Sequence, residues 1–188
     1  MAKRGSAKTS ARSRRAPRPK STSARSSSSS GTDALRAQLA KALEWAEAHV
    51  DFERAVEGVP PEARGRKPAG LPYSLWQLLE HLRLSQRDVL EFCRNSKYVE
   101  MKWPDEYWPK SDAPPDAAAW DRSIAEFRRD RAALRSLATD PELDLFATIP
   151  HGSGQTYIRE VLLMIDHNAY HIGELVAARR MLGTWDRT

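Results

Sequence analysis

The stretch TYIREVLLMIDHNAYHIGELVAARRML, residues 156–182, decides the reading of the whole chain. It contains no proline, opens on Thr156 as a capping residue, and is followed by Gly183, suited to a C-terminal cap. Its apolar residues recur at three and four positions, the period of an amphipathic helix. Ile158, Leu162, Ile165, Ala169, Ile172 and Val176 are predicted to form the buried arc. At ~100° per residue, His167, His171 and Glu174 cluster within about 60°, together with Glu160 and Met164. The two histidines are four apart, so both imidazoles project from one face, close enough to reach one ion. A His-x-x-x-His pair alone is weak evidence, because chance pairs on helix surfaces are common.

Three more helices precede this one. The first is expected from Thr32 or Asp33, with Leu35, Leu39, Leu43, Ala46 and Val50 on its apolar face, ending before Gly58 and the Pro60-Pro61 pair. The second opens at Ser74, with Gln77 completing a capping box, and carries the stripe Leu75, Leu79, Leu82, Val89 and Cys93. The third runs from about Pro115-Asp116 to about Ala138, with Trp120, Ile124, Phe127, Leu134 and Leu137 inward. No segment alternates as a strand would, and each helix keeps a polar face. Four amphipathic helices of roughly 22–27 residues predict an all-α four-helix bundle. The connection from Asn95 to Pro115 is longer than antiparallel neighbours need. It holds Tyr98, Trp103, Tyr107 and Trp108, enough aromatic surface to pack over the bundle as a crossover.

Charge divides the chain in two. Nine of the 30 Lys and Arg residues lie within residues 1–31, where there is no Asp or Glu, so the other 21 face all 25 acidic residues. Residues 1–31 are Ser, Ala, Arg and Lys with Pro17 and Pro19, too poor in apolar surface to offset the entropy of ordering. They are expected to be a disordered basic tail on a bundle domain of residues 32–188. The tail's charges suit weak, salt-sensitive, non-specific nucleic-acid binding or solubility alone. It has no aromatic residue to stack on bases. It also lacks the apolar core of a secretory signal, and no apolar run approaches the ~20 residues of a membrane helix. The single cysteine, Cys93, sits among apolar neighbours and reads as an inert core thiol. These features point to a cytoplasmic protein with no membrane contact.

A third metal ligand must come from another helix. His81 lies about two turns into the second helix, and at 1.5 Å per residue its depth matches that of His171 in either direction of the last helix. His49 falls on the apolar face of the first helix, as a core residue or as a pocket residue assisting proton transfer. His151, in the turn Pro150-His-Gly-Ser-Gly154, is a candidate for lining a cofactor pocket. Asp166 projects from another face and reads as solvated. Taken without further support, the three histidines are equally readable as two surface residues and one core residue.

The block Ser74-Leu-Trp-Gln-Leu-Leu-Glu-His81, with Asp166-His-Asn-Ala-Tyr-His-Ile-Gly-Glu-Leu175 some 85 residues later, resembles the DinB superfamily of metalloenzymes over about residues 33–183. The resemblance implies a bundle with a crossover between its second and third helices, and a divalent metal, zinc or nickel, held by His81, His167 and His171. It also implies thiol S-transferase, thiol-dependent isomerase or hydrolase chemistry on a small-molecule substrate, with a low-molecular-weight thiol as a co-substrate and a homodimer in many members. Many members carry Gln three residues after the last histidine where this chain has Glu174. A carboxylate there orients His171, carries a proton in catalysis, or is an ordinary polar residue. The rival reading is a non-catalytic bundle with structural or no metal, whose tail binds nucleic acid.

Overall fold

A computed structural model describes the backbone of residues 23–185 and the side chains of residues 31–185. Among these residues it is all-helical, with five α-helices: α1 (Ser23–Ala42), α2 (Phe52–Val56), α3 (Leu75–Arg94), α4 (Ala119–Thr139) and α5 (Tyr157–Met181). The four long helices form the bundle, and contacts α1–α4, α4–α3, α3–α5 and α5–α1 close a ring around the core.

Helix directions follow from side-chain pairs. On α3 and α4, Glu80 meets Ser123, Arg83 meets Glu126, and Arg87 meets Asp130, so the numbers rise together and the helices are parallel. A parallel neighbour cannot be reached by a tight turn, which is why residues 95–118 form a crossover. On α3 and α5, the His81 ring meets that of His171 at 4.5 Å, Gln86 meets Asn168, and Val89 and Leu163 line one cleft farther along, so the α5 numbers fall as those of α3 rise. That order is antiparallel, and it selects one of the two directions that helix depth alone leaves open.

The expected capping box is present: Ser74 Oγ accepts from the Gln77 amide, and Gln77 Oε1 accepts from the Ser74 amide, each at 3.1 Å. Thr156 caps α5, and Gly183 takes the left-handed conformation that ends it (φ 70°). The crossover lies against α3. Ser74 Oγ donates to Asp112 O (2.6 Å), Gln77 Nε2 to Pro109 O (3.2 Å), and the hydroxyls of Tyr98 and Tyr107 to the two oxygens of Asp88 (2.9 and 2.6 Å).

Three expectations need correction. The first helix does not run unbroken to Val50: it ends at Ala42, and Trp45 has φ 56°. Breaking there lets the indole enter the core, where Nε1 donates to Ile165 O (3.1 Å), and lets Phe52 stack on Phe127 at 4.0 Å. Burying two large aromatics outweighs a few more helical hydrogen bonds. Ala46 is consequently exposed, and Asp51 caps the short α2. The helix also starts earlier than Thr32: of the tail expected at 1–31, residues 1–22 lie outside the described residues, and from Ser23 the backbone belongs to α1. Adding residues to an existing helix costs far less than nucleating one. The buried arc of α5 is also rotated from the predicted one, since Leu162 is 49% exposed while Val161, Met164 and Asn168 are buried.

Candidate metal centre

His81 on α3 and His167 and His171 on α5 each offer a ring nitrogen to one point, and these atoms lie within 4.8 Å of one another. His81 Nε2 is 3.2 Å from His167 Nε2. Two nitrogens sharing one tetrahedral ion at ~2.0–2.1 Å are ~3.3 Å apart, so this spacing is that of a ligand pair.

Protons on the three rings can be placed from groups that only accept. His81 Nδ1 faces the carbonyl of Tyr107 at 3.0 Å, so Nδ1 carries the hydrogen and Nε2 is bare. The case of His167 is fixed from farther away. Gln86 Nε2 donates to the Phe127 carbonyl (2.8 Å), which turns Gln86 Oε1 towards Asn168. Asn168 Nδ2 donates to that oxygen (3.0 Å), leaving Asn168 Oδ1 to accept from His167 Nδ1 (3.0 Å). His167 Nε2 is therefore bare as well. His171 Nδ1 donates to Glu174 Oε2 at 2.7 Å, which frees its Nε2 in turn.

Two lone pairs then face each other across 3.2 Å with no proton between them. Such a contact repels unless a cation lies among the nitrogens, so the donor set fits a metal ion. Burial pushes His81 down to about 4, outweighing the Tyr107 carbonyl, and the other two histidines lower it further. Burial likewise brings His171 to about 4, with His167 adding to the effect, and lowers His167. All three imidazoles are neutral at pH 7, the state in which they ligate.

The surroundings hold the rings in place. Trp108, from the crossover, stacks on His81 with ring centres 3.8 Å apart and planes 6° apart, and Tyr73 in turn stacks on Trp108 at 3.7 Å. A cleft of about 450 Å³ opens beside the cluster, lined among others by Tyr73, His81, Trp103, Trp108, Lys110 and His171.

The other predicted residues divide. Glu174 is at the centre, bonded to His171. His49 is not brought there: with α1 ended at Ala42 it sits in an exposed loop, its Nδ1 2.8 Å from Val50 O. His151 is exposed and bonds Phe92 O (2.8 Å), lining a separate cleft of about 580 Å³ with Asp88, Tyr107 and Glu160. Asp166 is exposed, as expected. Cys93 is buried, and burial, with Glu160 nearby, raises its thiol to about 12, so it is inert as a nucleophile.

Sequence reasoning missed Gln86 and Asn168, both fully buried. Each had a signal. Gln86 interrupts the apolar stripe between Leu82 and Val89, and Asn168 stands between Met164 and Ile172. A polar side chain at a core position has to find a partner. The Tyr107 carbonyl and the Trp108 stack had none, because both depend on how the crossover folds back.

Among the described residues no helix is long and apolar enough to cross a membrane. No curated protein and no solved structure gives a match. A family profile does: that of the DinB superfamily covers residues 42–175, which include α2 to α4, the crossover, and α5 through both of its histidines. With that match over most of the chain, and a helical bundle converging three histidines, the protein belongs to the DinB superfamily.

Proposed function

We propose that this chain is a metal-dependent enzyme that transfers a small thiol to, or hydrolyses, an electrophilic small molecule, with zinc or nickel on His81, His167 and His171. The observation that carries the reading is the pair of bare Nε2 lone pairs facing each other at 3.2 Å, with a third directed to the same point. A divalent ion with three imidazole ligands supplies Lewis acidity and an open position at which the pKa of a thiol or water falls.

The chain's own groups do the rest. Tyr107 O, Asn168 and Glu174 hold a proton on each Nδ1 and so keep the three Nε2 atoms free. Glu174 is committed to this role through its 2.7 Å hydrogen bond with His171. It acts as a positioning residue that can also take up the Nδ1 proton. Trp108 shields His81 from water, and Trp103 and Tyr73 form aromatic walls for an apolar substrate body. Lys110 places a positive charge at the cleft. The ~450 Å³ cleft suits a small molecule rather than a polymer.

The test is consumption of a small thiol in the presence of an aryl halide, and ester hydrolysis without thiol, by zinc- and nickel-loaded protein. Turnover that disappears in His81→Ala and His171→Ala supports the reading. A rate equal to that of free metal in all forms would overturn it.

A further inference from the structure

Asp88 lies two helical turns beyond His81 on α3, about 10 Å along the axis and within ~20° of the same face. It is buried, at 9% exposure, beside the core residues Val89 and Leu90. A carboxylate is costly there unless it is hydrogen-bonded, and both of its oxygens are. Tyr98 donates its hydroxyl to Oδ1 (2.9 Å), and Tyr107 donates to Oδ2 (2.6 Å). Both donors come from the crossover. Burial, and then the bond to Asp88, raises the pKa of each phenol, so both hydroxyls keep their protons.

Tyr107 is attached to α3 twice. Its hydroxyl binds Asp88, and its carbonyl accepts from His81 Nδ1 (3.0 Å), the bond that leaves His81 Nε2 bare. The next residue, Trp108, stacks on the His81 ring at 3.8 Å. The contacts that set the tautomer and the plane of His81 therefore depend on where residues 107 and 108 are held. On one side of His81 the crossover is anchored by Ser74 and Gln77, which donate to Asp112 O and Pro109 O. Asp88 supplies the anchor on the other side, so the histidine is bracketed along α3. A hydrogen bond to a charged acceptor is stronger than one between neutral groups, which suits a carboxylate to this work. Tyr98 provides a comparison within the same clamp. It binds the same carboxylate, but its own amide donates to Asn95 O (2.9 Å), away from the three metal-site histidines.

We propose that Asp88 is a positioning residue for the metal centre: through the Tyr107 hydroxyl it fixes the carbonyl that holds the proton on His81 Nδ1. The inference rests on the reading of His81 as a metal ligand.

The test uses the full-length protein as wild type, Asp88→Ala, Tyr107→Phe and Tyr98→Phe. In metal-free protein with nitrogen-15-labelled histidine at pH 7, ring-nitrogen chemical shifts report the tautomer of His81, whose signals are those lost in His81→Gln. In wild type and Tyr98→Phe, His81 is expected to be protonated at Nδ1 throughout. In Asp88→Ala and Tyr107→Phe a mixture of the two tautomers is expected. Zinc affinity from chelator competition should fall about tenfold in those two and stay within about threefold in Tyr98→Phe, since losing a partner that orients a ligating histidine costs metal affinity. Tyr107→Phe removes a single hydroxyl and decides the matter if Asp88→Ala does not fold. A role confined to stability would lower melting temperatures without moving the tautomer. An unchanged His81 tautomer in Tyr107→Phe, with zinc affinity within about twofold of wild type, would overturn the proposal, as would an equal loss in Tyr98→Phe. A wild-type protein that takes up no zinc would sink the metal reading instead, and the tautomer in the metal-free variants would still decide the part played by Asp88.

Discussion

Replacing Asn168 by Ala perturbs the metal centre without touching a ligand. Asn168 is fully buried and makes two hydrogen bonds of 3.0 Å, to His167 Nδ1 and to Gln86 Oε1. Each is worth roughly 1 kcal/mol net, and truncation strands a buried donor on His167 and a buried acceptor on Gln86, at ~1–3 kcal/mol for an orphaned group. The expected loss is about 2–4 kcal/mol, which in a domain of this size lowers the melting temperature by about 10 °C. Freed from Asn168, the His167 ring no longer holds its tautomer, and metal affinity should fall 10–100-fold, as for other partners that orient a ligating histidine. The two readouts are melting of metal-free protein and competition with a chromophoric zinc chelator. Asn168→Asp separates the hydrogen bond from the volume. Its carboxylate still accepts from His167, so metal affinity should be kept, while its second oxygen faces Gln86 Oε1, so stability should still fall. An Asn168→Ala protein with unchanged zinc affinity and a stability within ~0.5 kcal/mol of wild type would refute the proton assignment on which the centre rests.

Three further outcomes are expected. Glu174→Ala should weaken metal binding 10–100-fold, whereas Glu174→Gln, whose amide oxygen can still accept from His171 Nδ1, should weaken it less than tenfold; chelator competition distinguishes them. Metal-free protein should lose stability as pH falls from about 6.5 towards 4. His81 and His171 are held near 4 in the folded state, so the unfolded chain takes up protons first. Solvent screening and their mutual repulsion, which each shift already includes, keep the two together to about 2–4 kcal/mol at neutral pH; urea melts from pH 7 to 4 should show the fall, and His81→Ala should flatten it. Gly65→Ala should cost about 1–3 kcal/mol in urea melts, because the added methyl would lie 2.7 Å from the Ala113 side chain where the end of the crossover meets the residues before α3.

The parts of the fold that were legible in the sequence are those governed by local signals. The capping box at Ser74, the Thr156 cap, the glycine after α5 and the 3.6-residue periodicity each depend on neighbours within one or two turns. The histidine triad was legible through spacing and the two quoted motifs. What failed was non-local. The break at Trp45 cannot be read from residues 42–52, because the reason for it is the Ile165 carbonyl and the Phe127 ring on other helices. His49 was carried off the expected face by that same break. The relay from His167 through Asn168 and Gln86 to the Phe127 carbonyl joins three helices, and only two polar residues at core positions announced it. The overlay of Trp108 on His81 depends on the path of the crossover, which no periodicity describes.

The most direct test of the account is elemental mass spectrometry of untagged protein purified without chelator, beside His81→Ala and His167→Ala. About one zinc or nickel ion per chain, absent from both variants while their helicity is kept, is the predicted result. No ion in the wild type, even after incubation with zinc and nickel, would contradict the account and leave the three converging nitrogens without the cation their protons imply.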